Sequence, residues 1–124
     1  TTYTTSVCTG ALLLGAAGVL DGLDATTHWF AYDELATYGA KPTEQRVVQQ
    51  GKVWTAAGVS AGNDLALTLV GEVWGPEVSQ AIQLGIEYDP QPPYDSGAPS
   101  KADPDVLALV RAISEQKEAA ARAS

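Results

Sequence analysis

Short runs of β-branched and aromatic residues alternate along the chain with segments that suit helices. The runs predict β-strands at residues 2–7, 25–29, 46–50 and 52–56. The segments between and after them predict helices at residues 11–17, 33–38, 65–73, 77–87 and 105–121. Because strands and helices alternate, the pattern favours an α/β layer fold.

Glycine, proline and short polar residues mark the connections between these elements. Gly51 separates two strand candidates and predicts a tight hairpin or a sharp bend. Residues 58–62 form a predicted loop, after which Asn63 or Asp64 is expected to cap the helix at 65–73. Residues 89–104 contain five prolines and predict an extended, wrapping loop.

The number of strands is small for the fold that the alternation predicts. Only three or four candidates exist, and the first lies at the beginning of the chain. A doubly wound sheet that is covered on both faces normally has more strands. We therefore expect residues 1–124 to be the C-terminal portion of a single domain whose N-terminal strands are cut away or belong to a separate chain. The alternative is a complete small domain.

Composition restricts the classes of function. With 124 residues, of which 45% are apolar, the chain suits one small domain with its own core. Its net charge of −8 and its seven scattered basic residues argue against nucleic acid as a partner. No stretch approaches the roughly 18 apolar residues of a membrane span. A single cysteine excludes an internal disulfide, and no signal-peptide pattern is present, so we expect a cytoplasmic protein.

The strongest local signal is Ser6-Val7-Cys8-Thr9-Gly10, which lies between a predicted strand and an apolar helix. This is the layout of a nucleophile elbow, in which the reactive residue occupies a strained turn. The partial positive charge at a helix N-terminus favours a thiolate, and Gly10 lets the helix approach the turn closely. The sequence therefore predicts that Cys8 is a catalytic nucleophile rather than a small buried apolar residue.

Other residues are candidates for supporting this cysteine. The hydroxyl of Thr9 is expected either to donate or relay a proton or to cap the helix. His28, the only histidine, is a candidate partner that favours the thiolate, or else a packing residue. Gly58, Val59 and Ser60 lead into a helix and are expected to line the pocket or simply to form the helix entry.

Cofactor chemistry is not expected from the residue content. One cysteine and one histidine provide no cluster of metal ligands, so no metal site is predicted. The sequence also lacks the glycine pattern of a phosphate-binding Walker loop.

The blocks around Cys8 resemble the ThiJ/PfpI superfamily, relatives of the class I glutamine amidotransferases. The resemblance depends on Ser6-Val7-Cys8-Thr9-Gly10, Gly15-Ala16-Ala17-Gly18-Val19-Leu20-Asp21-Gly22 and Ala25-Thr26-Thr27-His28-Trp29. These blocks also occur in the amidotransferase-like domains of AraC-type regulators. A later block, from Ala81 to Pro99, is similar to isocyanide (isonitrile) hydratases.

The resemblance implies a flavodoxin-like, doubly wound three-layer sandwich and a homodimer. It implies that an isonitrile is hydrated to an N-substituted formamide through a covalent thioimidate, without metal or organic cofactor. On this basis Cys8 is the nucleophile, Thr9 assists proton transfer, and Val59 and Ser60 support the site. The family's acidic residue lies on its first strand, in a segment that this chain does not contain.

Two other functions remain open at this point. The chain is alternatively the ligand-sensing domain of an AraC-type transcriptional regulator, although the basic helices that would bind DNA are absent from this sequence. A third possibility is a redox-sensing or aldehyde-detoxifying member of the superfamily, because a reactive cysteine is readily oxidised. Protease-like members have a histidine directly after the cysteine, and Thr9 at this position argues against peptidase activity.

Overall fold

The computed structural model describes residues 1–123 and divides the chain into two compact units, Thr1–Asp89 and a second that begins at Pro90. The strands of the first unit are β1 (Thr4–Val7), β2 (Asp24–Ala25), β3 (Lys41–Pro42), β4 (Val47–Gln50) and β5 (Val53–Ala56). Its α-helices are α1 (Gly10–Ala16), α2 (Tyr32–Thr37), α3 (Ala61–Trp74) and α4 (Pro76–Gly85). The predicted alternation of strands and helices is confirmed.

Three strands form the main sheet in the order β1-β5-β4. β1 runs parallel to β5, with Val7 opposite Ala56, and β4 runs antiparallel to β5. Gly51 adopts a left-handed φ of 60° in the turn between β4 and β5, which confirms the predicted hairpin. Because parallel strands end at the same edge of a sheet, the residues after Val7 and after Ala56 lie side by side.

The sheet is covered on both faces. Val53 belongs to one buried cluster, together with residues of α1 and α2. The next residue, Trp54, belongs to a second cluster, together with Ala61 and Leu65 of α3. Successive side chains of a strand point to opposite faces, so the first unit has three layers, with α1 and α2 on one side of the sheet and α3 on the other. The α/β layer fold that the sequence pattern predicted is confirmed, and its three layers agree with the arrangement that the resemblance implied.

The strand predicted at residues 25–29 is wrong beyond its first residue. β2 ends at Ala25, and the chain turns into a short 3-10 helix at Trp29–Ala31. The backbone N–H of Thr26 donates to the side-chain oxygen of Thr55 in β5 at 2.9 Å instead of to a backbone carbonyl, as in a strand pair. β2 pairs in parallel with β3, a two-residue strand that the sequence did not predict.

The predicted cap of the third helix is also wrong. α3 begins at Ala61, four residues before the expected start, so Asn63 and Asp64 lie in its first turn. Turn hydrogen bonds start the helix early: the N–H groups of Ala61 and Asn63 donate to the carbonyls of Gly58 and Ser60 at 3.0 and 3.3 Å. The helix predicted at residues 77–87 is present as α4, which begins at Pro76 and ends at Gly85.

The second unit consists of an irregular, proline-rich segment and helix α5 (Pro104–Ala123), as the sequence predicted. α5 contains no buried residue within the described chain. Lys101 and Asp95 form an exposed ion pair of 3.2 Å in the segment before it. None of the helices in residues 1–123 combines the length and the hydrophobicity that crossing a bilayer requires.

Candidate active site around Cys8

Cys8 occupies the turn between β1 and α1, at the edge of the sheet where β1 and β5 end. Its φ of 57° lies in the left-handed region, which is unfavourable for a residue with a side chain. Its N–H points to the carbonyls of Ala56 and Ala57, at 3.1 and 2.7 Å. The half-buried thiol thus sits on a strained strand-to-helix turn that the neighbouring strand anchors. That Cys8 is a nucleophile stays a prediction, to which this strained turn is relevant.

The carbonyl of Cys8 is held from a different part of the chain. The side-chain hydroxyl of Thr27 donates to it at 2.8 Å, and the N–H of Ala11 approaches it at 3.4 Å. Thr27 is fully buried. The residue pattern predicts a strand at Thr27 and gives it no role at the site, because the contact joins residues that are 19 positions apart.

Thr9 is exposed and makes no side-chain hydrogen bond that caps α1. The capping alternative for its hydroxyl is therefore wrong. Gly10 begins α1, and a methyl group placed on it would lie 3.9 Å from Cβ of Ser6, an ordinary van der Waals contact. The close approach that was expected to require glycine at this position is not found.

His28 lies beside the loop that follows β5. Its Nδ1 accepts a hydrogen bond of 3.2 Å from the N–H of Phe30, and its ring packs on Trp29 with ring centroids 5.4 Å apart. A methyl group placed on Gly58 would lie 3.8 Å from Cδ2 of His28. An accepting nitrogen carries no proton, so the neutral ring holds its proton on Nε2 and offers a donor there.

The loop after β5 contributes backbone to the turn and exposes its side chains. The carbonyl of Ala57 accepts from Cys8, and Gly58 faces His28. The side chain of Val59, however, is 81% exposed. The exposed hydroxyl of Ser60 accepts from Arg46 at 3.4 Å. The structure therefore brings Gly58 to the predicted site through its backbone, whereas Val59 and Ser60 present side chains to solvent.

Behind this loop lies a polar network that the sequence did not predict. Asp64, in the first turn of α3, accepts from Nε of Arg46 at 2.5 Å and from the hydroxyl of Tyr88 at 2.6 Å. Burial raises the pKa of the Asp64 carboxyl, but the hydrogen bonds from Tyr88 and Arg46 and the charge of Arg46 outweigh it, so this pKa lies below its ordinary value. The hydrogen bond to Asp64 likewise raises the pKa of Tyr88.

The network is connected to the turn of Cys8 through the backbone. The carbonyl of Arg46 accepts from the N–H of Ala57 at 2.8 Å, and the carbonyl of Ala57 accepts from Cys8. Within residues 1–123, no three or more His, Cys, Asp or Glu side chains form a group able to hold a metal ion. The arrangement provides a thiol, an exposed hydroxyl on the following residue and an imidazole donor on the neighbouring loop.

The sequence profile of the DJ-1/PfpI family matches residues 1–72. The chain is 52% identical over 105 residues to the isonitrile hydratase of Pseudomonas putida, an alignment that covers 85% of this chain and 46% of that enzyme. It is 35% identical over 82 residues to the HTH-type transcriptional regulator CdhR of Pseudomonas aeruginosa, covering 64% of this chain and 24% of the regulator.

The fold has a near match among solved structures. A ThiJ/PfpI family protein from Pseudomonas syringae superposes with a TM-score of 0.88 at 44% sequence identity, covering 92% of this chain and 47% of that one. The chain therefore spans about half the length of both this protein and the isonitrile hydratase.

Proposed function

The chain belongs to the DJ-1/PfpI family, and we propose that it is the nucleophile-bearing part of an enzyme that hydrates isonitriles at Cys8. The observation that carries the proposal is the strained elbow at Cys8 in a chain that is 52% identical to an isonitrile hydratase. An alignment of 105 residues leaves out only 19 of the 124 residues of this chain, so it includes the segment from Ala81 to Pro99 whatever its first residue. The similarity therefore extends beyond the blocks around Cys8.

The proposed reaction starts with attack of the Cys8 thiolate on the terminal carbon of R–N≡C. The new C–S bond uses the thiolate electron pair, and a proton is delivered to the same carbon to give the thioimidate R–N=CH–S. Water then adds to this carbon while the nitrogen takes up a proton. Collapse of the adduct breaks the C–S bond, expels the Cys8 thiolate and releases the proton of the hydroxyl, which replaces the proton delivered in the first step. The product is R–NH–CHO, so isonitrile and water are converted into a formamide with no redox change.

Thr9 is the proposed carrier of the proton. Its hydroxyl belongs to the residue directly after the nucleophile, is exposed, and makes no helix-capping bond. His28 offers Nε2–H as a donor in the same region, and Gly58 leaves room beside its ring. In this proposal Val59 and Ser60 act as support for the loop rather than as groups that touch substrate.

The remaining parts of the proposal concern the rest of the protein. We expect a carboxylate from a segment outside this chain to complete the site and to orient water or the thiol. A homodimer in the cytoplasm also stays a prediction. Light scattering of the purified protein tests the dimer, and a mass at the value of one chain contradicts it.

Incubation with an aryl isonitrile tests the chemistry directly. The expected product is the N-aryl formamide, detected by chromatography, together with a transient mass adduct of one isonitrile on Cys8. Cys8→Ala is expected to abolish both, whereas Thr9→Val is expected to slow turnover and retain the adduct. A Cys8→Ala variant that hydrates at the original rate would falsify the mechanism. The absence of any formamide with the unmodified full-length protein, which includes the segment expected to supply the carboxylate, would overturn the function.

A ligand-sensing role is the second candidate, because 64% of the chain is also similar to the regulator CdhR. In that case an isonitrile or another small molecule would bind without being converted. Binding of an isonitrile measured by calorimetry, without formation of formamide during long incubation, would favour this alternative.

A further inference from the structure

A buried hydroxyl lies against the turn that carries the nucleophile. Thr27 is fully buried, and its hydroxyl donates to the carbonyl of Cys8 at 2.8 Å from a segment 19 residues away. A buried hydroxyl needs a hydrogen-bond partner, and this one uses the nucleophile's own carbonyl. The contact is therefore long-range and specific to the turn.

The bond matters because of the conformation of Cys8. A left-handed φ of 57° is unfavourable for a non-glycine residue, so the surrounding structure must hold it. The N–H side of the residue is held by the carbonyls of Ala56 and Ala57. On the carbonyl side, the shorter of the two hydrogen bonds comes from Thr27 at 2.8 Å, against 3.4 Å for the N–H of Ala11.

We propose that Thr27 is a positioning residue, which fixes the peptide that follows Cys8 and thereby aims the thiol at the substrate. This inference rests on the proposed function of Cys8 as a nucleophile. Thr27 acts through the backbone of Cys8 and touches no substrate. Its loss is therefore expected to lower kcat while KM stays nearly constant, since misplacing a reacting atom slows the chemical step more than binding.

The neighbouring residue offers a matched control. Thr26 is also fully buried, and its hydroxyl reaches the carbonyl of Thr27 at 3.5 Å, not that of Cys8. Thr26→Val and Thr27→Val therefore remove the same group from adjacent buried positions. Only the second removes the bond to the nucleophile's carbonyl.

The experiment compares Thr27→Val, Thr27→Ser and Thr26→Val with the unmodified protein. Thr27→Val is expected to lower kcat for an aryl isonitrile about five- to tenfold, the effect of one lost hydrogen bond, with KM within about twofold. Thr27→Ser, which keeps the hydroxyl, and Thr26→Val are expected to retain kcat within about twofold. Equal loss of kcat in both valine variants, or none in Thr27→Val, would overturn the proposal.

Amide hydrogen exchange measured by NMR provides a readout that does not need turnover. In Thr27→Val the N–H of Cys8 is expected to exchange at least about fivefold faster relative to Val48 in β4, because the turn opens locally. A uniform acceleration at both positions would indicate a purely structural role and contradict the proposal. If the unmodified protein forms no formamide, the proposed function fails, whereas the exchange at Cys8 still decides whether Thr27 holds the turn. If Thr27→Val does not fold, Thr27→Ser is compared with Thr27→Ala, because these two variants differ by one hydroxyl. Thr27→Ala is then expected to show the lower kcat and the faster exchange at Cys8.

Discussion

The hydroxyl of Tyr88 donates a 2.6 Å hydrogen bond to Oδ1 of Asp64 and so joins the chain just after α4 to the first turn of α3. Arg46 occupies the other oxygen of the same carboxylate. Asp64 is therefore a junction between three elements, and one of them, the segment at Arg46, also holds the loop that anchors Cys8. Tyr88 belongs to the segment that is similar to isocyanide hydratases and lies far from Cys8 along the chain. Its hydrogen bond to Asp64 gives it a structural role.

The first prediction concerns the hydroxyl of Tyr88. Tyr88→Phe is expected to lower the free energy of unfolding by about 0.5–1 kcal/mol, because it removes a hydrogen bond to a charged acceptor at a partly exposed site. Urea unfolding followed by circular dichroism measures the change. Tyr94→Phe is the control, since the ring of Tyr94 is exposed, and it should leave the stability within about 0.3 kcal/mol. Equal effects of the two variants would contradict the role of the junction.

The second prediction concerns acid. The pKa of Asp64 in the folded protein lies below its ordinary 3.8, despite the opposing effect of burial, because Tyr88 and Arg46 stabilise the ionised form. Ionised Asp64 therefore stabilises the fold at every pH above the unfolded pKa, and this contribution disappears as the pH falls through the folded pKa. The stability difference between the unmodified protein and Asp64→Asn should be constant from pH 7 to about pH 5 and shrink below about pH 4. A difference that persists unchanged at pH 3 would rule out this linkage.

The parts of the fold that could be predicted from sequence are those with a local cause. The hairpin at Gly51 and the strand-to-helix turn at Cys8 follow from residue types within a few positions. The pairing of β2 with β3 could not be predicted, because strands of two residues have no periodicity and their partners are 17 positions apart. Thr26 and Thr27 match a strand by propensity, but their polar groups bond instead to Thr55 and Cys8.

The same division applies to the candidate site. Cys8, His28 and Gly58 belong to segments that the sequence singled out, whereas the proximity of His28 to Gly58 is visible only in the structure. Asp64 was expected to act as a cap because capping rules concern only the nearest residues. Its actual partners are 18 and 24 positions away, so only the tertiary structure reveals them.

The third prediction compares two glycines of α1. A methyl group placed on Gly15 would lie 2.9 Å from Cβ of Tyr38, which cannot move easily because it is next to the backbone. Gly15→Ala is therefore expected to lower the free energy of unfolding by about 1–3 kcal/mol through overpacking. Gly10→Ala meets only an ordinary contact and should change it by less than about 1 kcal/mol. Thermal unfolding of the two variants measures the difference in stability. A Gly15→Ala variant as stable as Gly10→Ala would contradict the prediction, because it would show that α1 can move away from Tyr38 with little loss of stability.

The last prediction tests the backbone strain at Cys8 itself. A left-handed φ of 57° destabilises the folded state by about 1–2 kcal/mol for a residue with a Cβ, whereas glycine adopts it without this cost. Glycine also makes the unfolded chain more flexible, which lowers the free energy of unfolding by about 0.4–1 kcal/mol. Cys8→Gly is therefore expected to be more stable than Cys8→Ala by about 0.5–1 kcal/mol in urea unfolding. Glycine in place of Ala16, in the last turn of α1, should have the opposite effect and destabilise the protein by about 0.5–1 kcal/mol. If Cys8→Gly is instead less stable than Cys8→Ala, the turn is not strained, and Cys8 is held by its hydrogen bonds without an opposing conformational cost.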